Sequence, residues 1–123
     1  MSRKKKNKNK IDGSYSVIEH NITNSEAWKK LSIYARYLYF EFKLRYHGDN
    51  KYKIIFPYRQ AIKIMTNRTF TNCRNKLIEN GFIDIIKRGG FYHQATIYGL
   101  SERWRKYGTK DFIKIDPRKI EHL

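Results

Sequence analysis

The sequence predicts a small α+β domain, and three observations between Phe56 and Tyr98 lead to that prediction. Two segments with the apolar period of a helix are separated by a polar break at Thr66-Asn67. Gly81 follows the second segment, where a glycine typically ends a helix. Two β-type segments then flank a turn at 88–90. Helix, turn, helix and hairpin in this order are typical of a winged helix-turn-helix, with a three-helix core, a small antiparallel sheet that includes the wing, and an extra short C-terminal helix.

The chain as a whole is expected to have three parts. Residues 1–13 are predicted to be a disordered basic arm, 14–108 the winged-helix domain, and 109–123 a basic C-terminal tail. The first ten residues hold six of the 27 Lys and Arg residues and no acid, a composition typical of arms that contact phosphates. The alternatives for the arm are a solubilising tail and a localisation signal. The candidate phosphate contacts in the arm are Arg3, Lys4, Lys5 and Lys6.

The segment before the helix-turn-helix contains further predicted elements. Ser14 to Ile22 alternates loosely and is predicted to be extended. Asn24 or Ser25 is predicted to cap a short helix, and Ser32 to begin the longest helix of the chain, which runs to about Tyr46. A short strand is expected at 51–56, with Tyr52, Ile54 and Phe56 on one face.

The predicted longest helix carries two apolar stripes. The first, expected to face the core, is Leu31, Tyr34, Ala35, Leu38 and Phe42. The second is Ile33, Tyr37, Phe40 and Leu44. The second stripe is expected either to be buried within the chain, for example under the tail with Phe112, Ile113 and Ile115, or to form a homodimer.

The second helix of the motif is predicted to have a core face and a polar face. Phe70, Cys73 and Leu77 recur at core spacing, and Thr66 or Asn67 suits the N-cap. Arginine pairs with guanine edges, asparagine with adenine, and threonine with the thymine methyl group or a phosphate, so this polar face is typical of a helix that contacts DNA bases. The alternative is an ordinary solvated face. The candidate DNA-binding residues of the helix are Asn67, Arg68, Thr69, Thr71, Asn72, Asn75 and Lys76, with Glu79 the one acid at the far end.

Basic residues also surround this helix. Arg59 and Lys63, predicted to lie on the first helix of the motif, are candidate phosphate contacts. The hairpin is predicted from Phe82 to Leu100, with its return strand beginning at Phe91, and its tip is basic. A basic tip beside such a helix is typical of a wing, whereas the alternative is an ordinary exposed hairpin. The candidates at the tip are Lys87, Arg88 and His93.

Composition limits the class of protein. The chain has 123 residues and a formal net charge of +16, which favours a nucleic-acid partner first and an anionic membrane second. Cys73 is the only cysteine, so no intramolecular disulfide can form, and its spacing predicts a buried thiol. No run approaches the roughly 18 apolar residues of a membrane span, and no apolar run follows the basic N-terminus. We therefore expect a cytoplasmic, nucleoid-associated protein.

The sequence contains no pattern of catalytic residues. The four histidines are scattered, one cysteine provides no zinc-site spacing, and no glycine-rich phosphate loop precedes a helix. The acids lie at unrelated points, which disfavours a two-metal nuclease. We expect neither an enzyme nor a bound metal or cofactor.

The string S-E-A-W-K-K-L-S-I-Y-A-R-Y-L-Y at 25–39 resembles the opening of small winged-helix proteins of bacteria, phages and mobile elements, which are described as helix-turn-helix or replication-type DNA-binding proteins. The resemblance continues through R-Y-H-G-D-N at 45–50, G-F-I at 81–83 and A-T-I-Y-G-L-S at 95–101. It implies a winged-helix fold and duplex DNA as partner. The chain departs from the family at Met65, where a small residue is more usual, and at Arg74, where an apolar residue is more usual.

Together these observations predict a sequence-preferring double-stranded DNA-binding protein, either a transcriptional regulator or a replication-origin binder of a phage or mobile element. One alternative is a nonspecific architectural or RNA-binding basic protein, which would use charge and its ten tyrosines for stacking. Another is a winged-helix protein-interaction module.

Overall fold

The computed structural model describes Gly13, residues 15–90 and residues 94–119, and within them the fold is mixed α+β, as predicted. It has five α-helices, a three-stranded antiparallel sheet and two 3-10 helices. The α-helices are α1 (His20–Thr23), α2 (Glu26–Lys29), α3 (Ile33–Leu44), α4 (Tyr58–Ala61) and α5 (Asn67–Glu79). The strands are β1 (Ile54–Ile55), β2 (Ile83–Lys87) and β3 (Ile97–Leu100), and the 3-10 helices are Arg103–Lys106 and Pro117–Lys119. The predicted arm apart from Gly13, with Arg3, Lys4, Lys5 and Lys6, lies outside the described residues, as do Ser14, His93 and the last four residues.

Hydroxyl side chains begin three of the helices. Ser25, Ser32 and Thr66 each accept a hydrogen bond at 3.1 or 3.2 Å from the backbone N–H three residues later. These bonds satisfy N–H groups that have no partner within the first helical turn. The predicted starts of α2, α3 and α5 are therefore confirmed.

The end of α5 depends on Gly81, which adopts a positive φ of +90°. Its N–H donates to the carbonyl of Ile78 at 3.1 Å, and the next N–H, that of Phe82, donates to Leu77 at 2.9 Å. This pair of bonds is the Schellman ending that favours glycine. A Cβ at this position would lie 2.5 Å from the backbone nitrogen of Trp104, so the close approach of the 3-10 helix also requires glycine.

The sheet has the strand order β1-β3-β2, so the last strand lies between the other two. Tyr98 in β3 pairs with Ile54 on one side and with Ile85 on the other. The predicted return strand is shorter than expected, because residues 94–96 are outside the strand and the paired segment begins at Ile97. The first strand, predicted at 51–56, is shorter than expected, because β1 contains only Ile54 and Ile55, and Tyr52 lies before it and is exposed.

The core lies where α3 and α5 pack together against the sheet. Most of the first predicted stripe of α3 is buried, but Tyr34 is 65% exposed, so that assignment was wrong. Tyr39 is buried instead, because it follows Ala35 by four residues and shares its helix face. Its ring packs edge-on against Trp28 and Phe82, at centroid distances of 5.6 and 5.4 Å. The predicted core residues of α5, which are Phe70, Cys73 and Leu77, are confirmed, and Trp104 of the 3-10 helix is buried as well.

Three predicted boundaries differ from the structure. The extended segment predicted to reach Ile22 ends earlier, because α1 begins at His20. Helix α3 ends at Leu44 and is one residue shorter than α5, so it is not the longest helix described. Helix α4 ends at Ala61, which leaves Lys63 in the turn that follows and not on the helix as predicted.

Residues 109–119, predicted to belong to a tail, pack against the C-terminal half of α5. Arg103 joins the two, since its Nη1 donates to the carbonyl of Ile113 at 2.9 Å and its Nη2 to that of Ile78 at 2.8 Å. The same guanidinium forms a salt bridge with Asp84 of β2 at 2.6 Å. The half-buried Ile115 packs on the core. The described part of the C-terminal segment therefore does not cover the second stripe of α3, whose side chains remain exposed.

Candidate nucleic-acid interface

Helix α5 presents a polar face opposite its buried side. We define the α5 polar face as Asn67, Arg68, Thr71, Asn72, Asn75 and Lys76. Asn67, Arg68, Asn72 and Lys76 are exposed and the other two are half-buried, while the opposite side of the helix packs on the core. The helical period brings six of the predicted residues together, because residues three and four apart lie on one side. These six side chains offer N–H donors, amides and a hydroxyl, and the one carboxylate on this side of the helix is that of half-buried Glu79 at its C-terminal end.

Thr69, predicted to contact DNA, lies apart from the α5 polar face. Its backbone N–H donates to the hydroxyl of Thr66 at 3.2 Å, and the two hydroxyls are 3.0 Å apart and hydrogen-bonded. Its side chain lines a hollow between α3 and the turn, with Ile33 and Met65 among the other lining residues. The structure therefore places Thr69 in the N-terminal cap of α5, on the side that faces α3.

Exposed cations lie on the elements that precede and follow α5. Arg59 on α4, Lys63 in the turn and Lys87 at the end of β2 are all exposed. In the part of the chain that the structure describes, neither these three cations nor Arg68 and Lys76 form a salt bridge with a carboxylate. Their charge is therefore not neutralised by neighbouring acids in that part, and the surface around α5 is electropositive.

Glu79, four residues after Asn75 and three after Lys76, lies on the same side of α5 at its C-terminal end. Arg118 approaches it from the C-terminal segment, with 3.6 Å between Nη1 and Oε1. The Arg118 side chain is 72% exposed, so the pair contributes little to stability, but it offsets the negative charge at this end of the helix. Sequence reasoning missed Arg118, because residues 109–119 have no periodicity that would place them on α5.

The hairpin turn differs from a freely exposed basic tip. Arg88, predicted at that tip, is half-buried, and its Nη2 donates to the carbonyl of Pro117 at 3.3 Å. Its Nε is buried and has no hydrogen-bond partner among the described residues. Arg88 is therefore directed toward the C-terminal segment, while Lys87 remains exposed and His93 lies outside the described residues.

A groove of about 270 Å³ separates α5 from the hairpin. It is lined by polar and aromatic side chains, among them Asn67, Thr71, Arg74, Gln94, Thr96 and Tyr98. The guanidinium of Arg74 lies 5.9 Å from the ring centroid of Phe70, and its Nε and Nη2 lie 3.4 and 3.2 Å from Oδ1 of Asn75. Burial raises the pKa of the Tyr98 hydroxyl, and Arg74 acts in the opposite direction. Tyr98 is therefore a neutral donor or acceptor at the floor of the groove.

The single thiol lies on the other side of α5. Cys73 is buried, as predicted, and burial raises its pKa. A raised pKa lowers the fraction of thiolate, which is the reactive form. Cys73 therefore contributes to packing between α5 and α3 and adds no reactive group to the polar face.

Comparisons with known proteins provide no homologue for this arrangement. No protein-family model, curated protein or solved structure matches the chain. No helix among the described residues is long and apolar enough to cross a bilayer. The physical properties of the surface around α5 are therefore the basis for assigning a function.

Proposed function

We propose that the chain is a winged helix-turn-helix protein that binds duplex DNA with the α5 polar face in the major groove. The observation that carries the proposal is a helix whose polar side holds Arg68, Asn72 and Asn75, with exposed cations on α4, in the turn and on β2, and with its one carboxylate, Glu79, at the far end beside Arg118. The order α3, β1, α4, α5, β2, β3, with β3 central in the sheet, supports the fold. A major groove about 12 Å wide admits one α-helix.

The chemistry of each side chain indicates its role. Arg68 recognises a guanine edge and Asn72 an adenine edge, since each side chain offers the matching hydrogen-bonding groups. Thr71 contacts a thymine methyl group or a phosphate. Lys76 contacts a phosphate, as do the flanking cations of α4, the turn and the hairpin, and such contacts orient the protein without selecting sequence. These flanking phosphate contacts are Arg59, Lys63 and Lys87.

Base-edge contacts favour a sequence-preferring protein, which acts as a transcriptional regulator or a replication-origin binder of a phage or mobile element. The electropositive surface alone serves a nonspecific architectural or RNA-binding protein equally well, because phosphate binding is independent of sequence. Asn72 and Asn75 favour the first role, because amides add little to nonspecific electrostatic binding and are suited to base edges. A protein-interaction module typically buries apolar and aromatic side chains at its interface, whereas the exposed residues of α5 are polar or charged.

The test is the effect of Arg68→Ala and Asn72→Ala on binding to a selected duplex site and to random duplex. Each should weaken specific binding by about 1–3 kcal/mol and random binding much less. The control is Lys110→Ala, which removes an exposed cation from the C-terminal segment. It should leave the affinities for the selected duplex site and for random duplex unchanged. Equal losses on both duplexes would support the nonspecific role. No loss of affinity for either duplex would exclude α5 as a DNA-reading helix. Tighter binding of the wild-type protein to RNA than to the selected duplex would exclude it as well.

We also propose that two copies of the chain pair through the second stripe of α3. The exposed fraction is 79% for Ile33, 45% for Tyr37, 38% for Phe40 and 44% for Leu44. They recur at spacings of four, three and four residues, which is the spacing of apolar residues along the seam between two paired helices. A seam of this kind is complementary to itself about a two-fold axis. The alternative was that the C-terminal segment buries this stripe, but the described part of that segment packs on α5.

A further inference from the structure

The contact between Arg74 and Asn75 determines which hydrogen-bonding groups α5 offers to a base. Nε and Nη2 of Arg74 both point at Oδ1 of Asn75, at 3.4 and 3.2 Å. Arginine has five N–H donors and no acceptor, so an amide that faces it must present its oxygen. Both lone pairs of that oxygen are then occupied, and the outward group of Asn75 is its NH₂.

Asn75 lies on the same side of α5 as Arg68 and Asn72 and is half-buried, as is Arg74. A free asparagine recognises adenine with its oxygen on N6–H and its NH₂ on N7. Asn75 lacks a free acceptor for that pair. A guanine edge presents two acceptors, O6 and N7, and no donor in the major groove, so it matches an NH₂ group alone.

We propose that Arg74 is a positioning residue that restricts Asn75 to donating hydrogen bonds, so that Asn75 selects guanine and not adenine. This inference rests on the proposed function, since it requires that α5 lie in the major groove. Arg74 itself contacts no base. It acts through the amide of Asn75, and its guanidinium lies over the ring of Phe70, a cation–π contact that holds it beside the helix.

The experiment is selection of duplex sites from a random library by the wild-type protein and four variants. In Asn75→Ala the base preference should disappear at one position of the site and remain at the others. That position is the base pair that faces Asn75. At that pair the wild type should prefer guanine over adenine by about tenfold or more. Arg74→Met keeps the stem but frees the amide oxygen, so the preference should change to adenine. Arg74→Lys, which still donates to the oxygen, should retain guanine.

Asn75→Asp provides the complementary change. Its carboxylate would pair with Arg74 and leave an acceptor facing the groove, so the preferred base should become cytosine, whose N4 amino group donates. A purely structural role for Arg74 would lower affinity at every position and leave each preference unchanged. Circular dichroism of each variant checks that the fold is retained.

A measurement without DNA tests the contact itself. In the free protein, solvent exchange of the Arg74 Nε–H should be slower in the wild type than in Asn75→Ala, and equal rates would overturn the inference. Adenine preference in the wild type, or an unchanged preference in Arg74→Met, would also overturn it while leaving the proposed function intact. A selection that enriches no sequence would overturn the proposed function, and this inference with it.

Discussion

The side-chain amide of Asn80 donates a 2.9 Å hydrogen bond to the carbonyl of Ala27, joining the end of α5 to α2 across 53 residues of sequence. Both residues are buried, at 2% and 0% exposure. Asn80→Ala would leave the carbonyl buried without this partner, which costs about 1–3 kcal/mol of unfolding free energy. Urea denaturation measures the loss. Asn72→Ala, on the exposed face of the same helix, should stay within about 0.5 kcal/mol, and equal effects at the two positions would contradict the assignment.

Gly81 and Gly108 both adopt a positive φ, +90° and +83°, so that substitutions at the two positions can be compared. Alanine at Gly108 meets nothing within 4 Å, so it should cost only the roughly 1–2 kcal/mol of the left-handed backbone. Alanine at Gly81 would add the 2.5 Å clash with the backbone nitrogen of Trp104. We expect its cost to be at least about twice as large, because overpacking adds roughly 1–3 kcal/mol. Thermal unfolding of the two variants compares them, and similar melting temperatures would show that the close approach relaxes easily.

The basic arm can be tested by its salt dependence. If its cations bind phosphates, deleting residues 1–10 should reduce the slope of log K against log salt by about 0.9 for each phosphate that the arm neutralises. The ratio between specific and random binding should change little, because phosphates carry no sequence information. Fluorescence titrations between roughly 50 and 200 mM salt measure the slope. An unchanged slope would favour the solubilising tail.

Local rules were sufficient to predict the helix start at Ser32 and the glycine ending of α5, and they limited the other two starts to Asn24 or Ser25 and to Thr66 or Asn67. Each depends on one side chain and its neighbours in sequence. The core face of α5 was predictable for the same reason, since periodicity reports burial directly. The winged-helix assignment and the DNA-binding roles stay predictions, because they require a partner or a homologue.

Long-range and side-chain contacts were not predictable from the sequence. The position of residues 109–119 depends on Arg103, which joins three distant segments through Asp84 and two backbone carbonyls. The pairing of Arg74 with Asn75 contradicts the usual rule that adjacent residues on a helix do not face each other. The guanidinium of Arg74 lies over the ring of Phe70, 5.9 Å from its centroid, and Nη2 is then 3.2 Å from Oδ1 of Asn75. A residue on the flank of a helix can belong to either side, and the structure places Thr69 on the side that lines the hollow toward α3.

The proposed pairing of α3 predicts cooperative binding to two half-sites about 34 Å apart. The net charge of +16 opposes pairing of the free protein, whereas phosphates neutralise part of that charge, so DNA should promote the dimer. Phe40→Glu introduces a charge into the seam, and each copy should then occupy its half-site independently. Ile113→Glu makes the same change at an apolar side chain that is 64% exposed on the C-terminal segment, and cooperativity should remain.

Sedimentation of the wild-type protein, alone and with a palindromic duplex, separates the outcomes of that test. We expect a monomer alone at low salt and two copies on the duplex, with no population of singly occupied duplex at half saturation. Phe40→Glu should populate the singly occupied duplex, because each copy then gains nothing from its neighbour. A complex of one copy per duplex at saturating protein, unchanged by Phe40→Glu, would show that the second stripe of α3 does not mediate pairing.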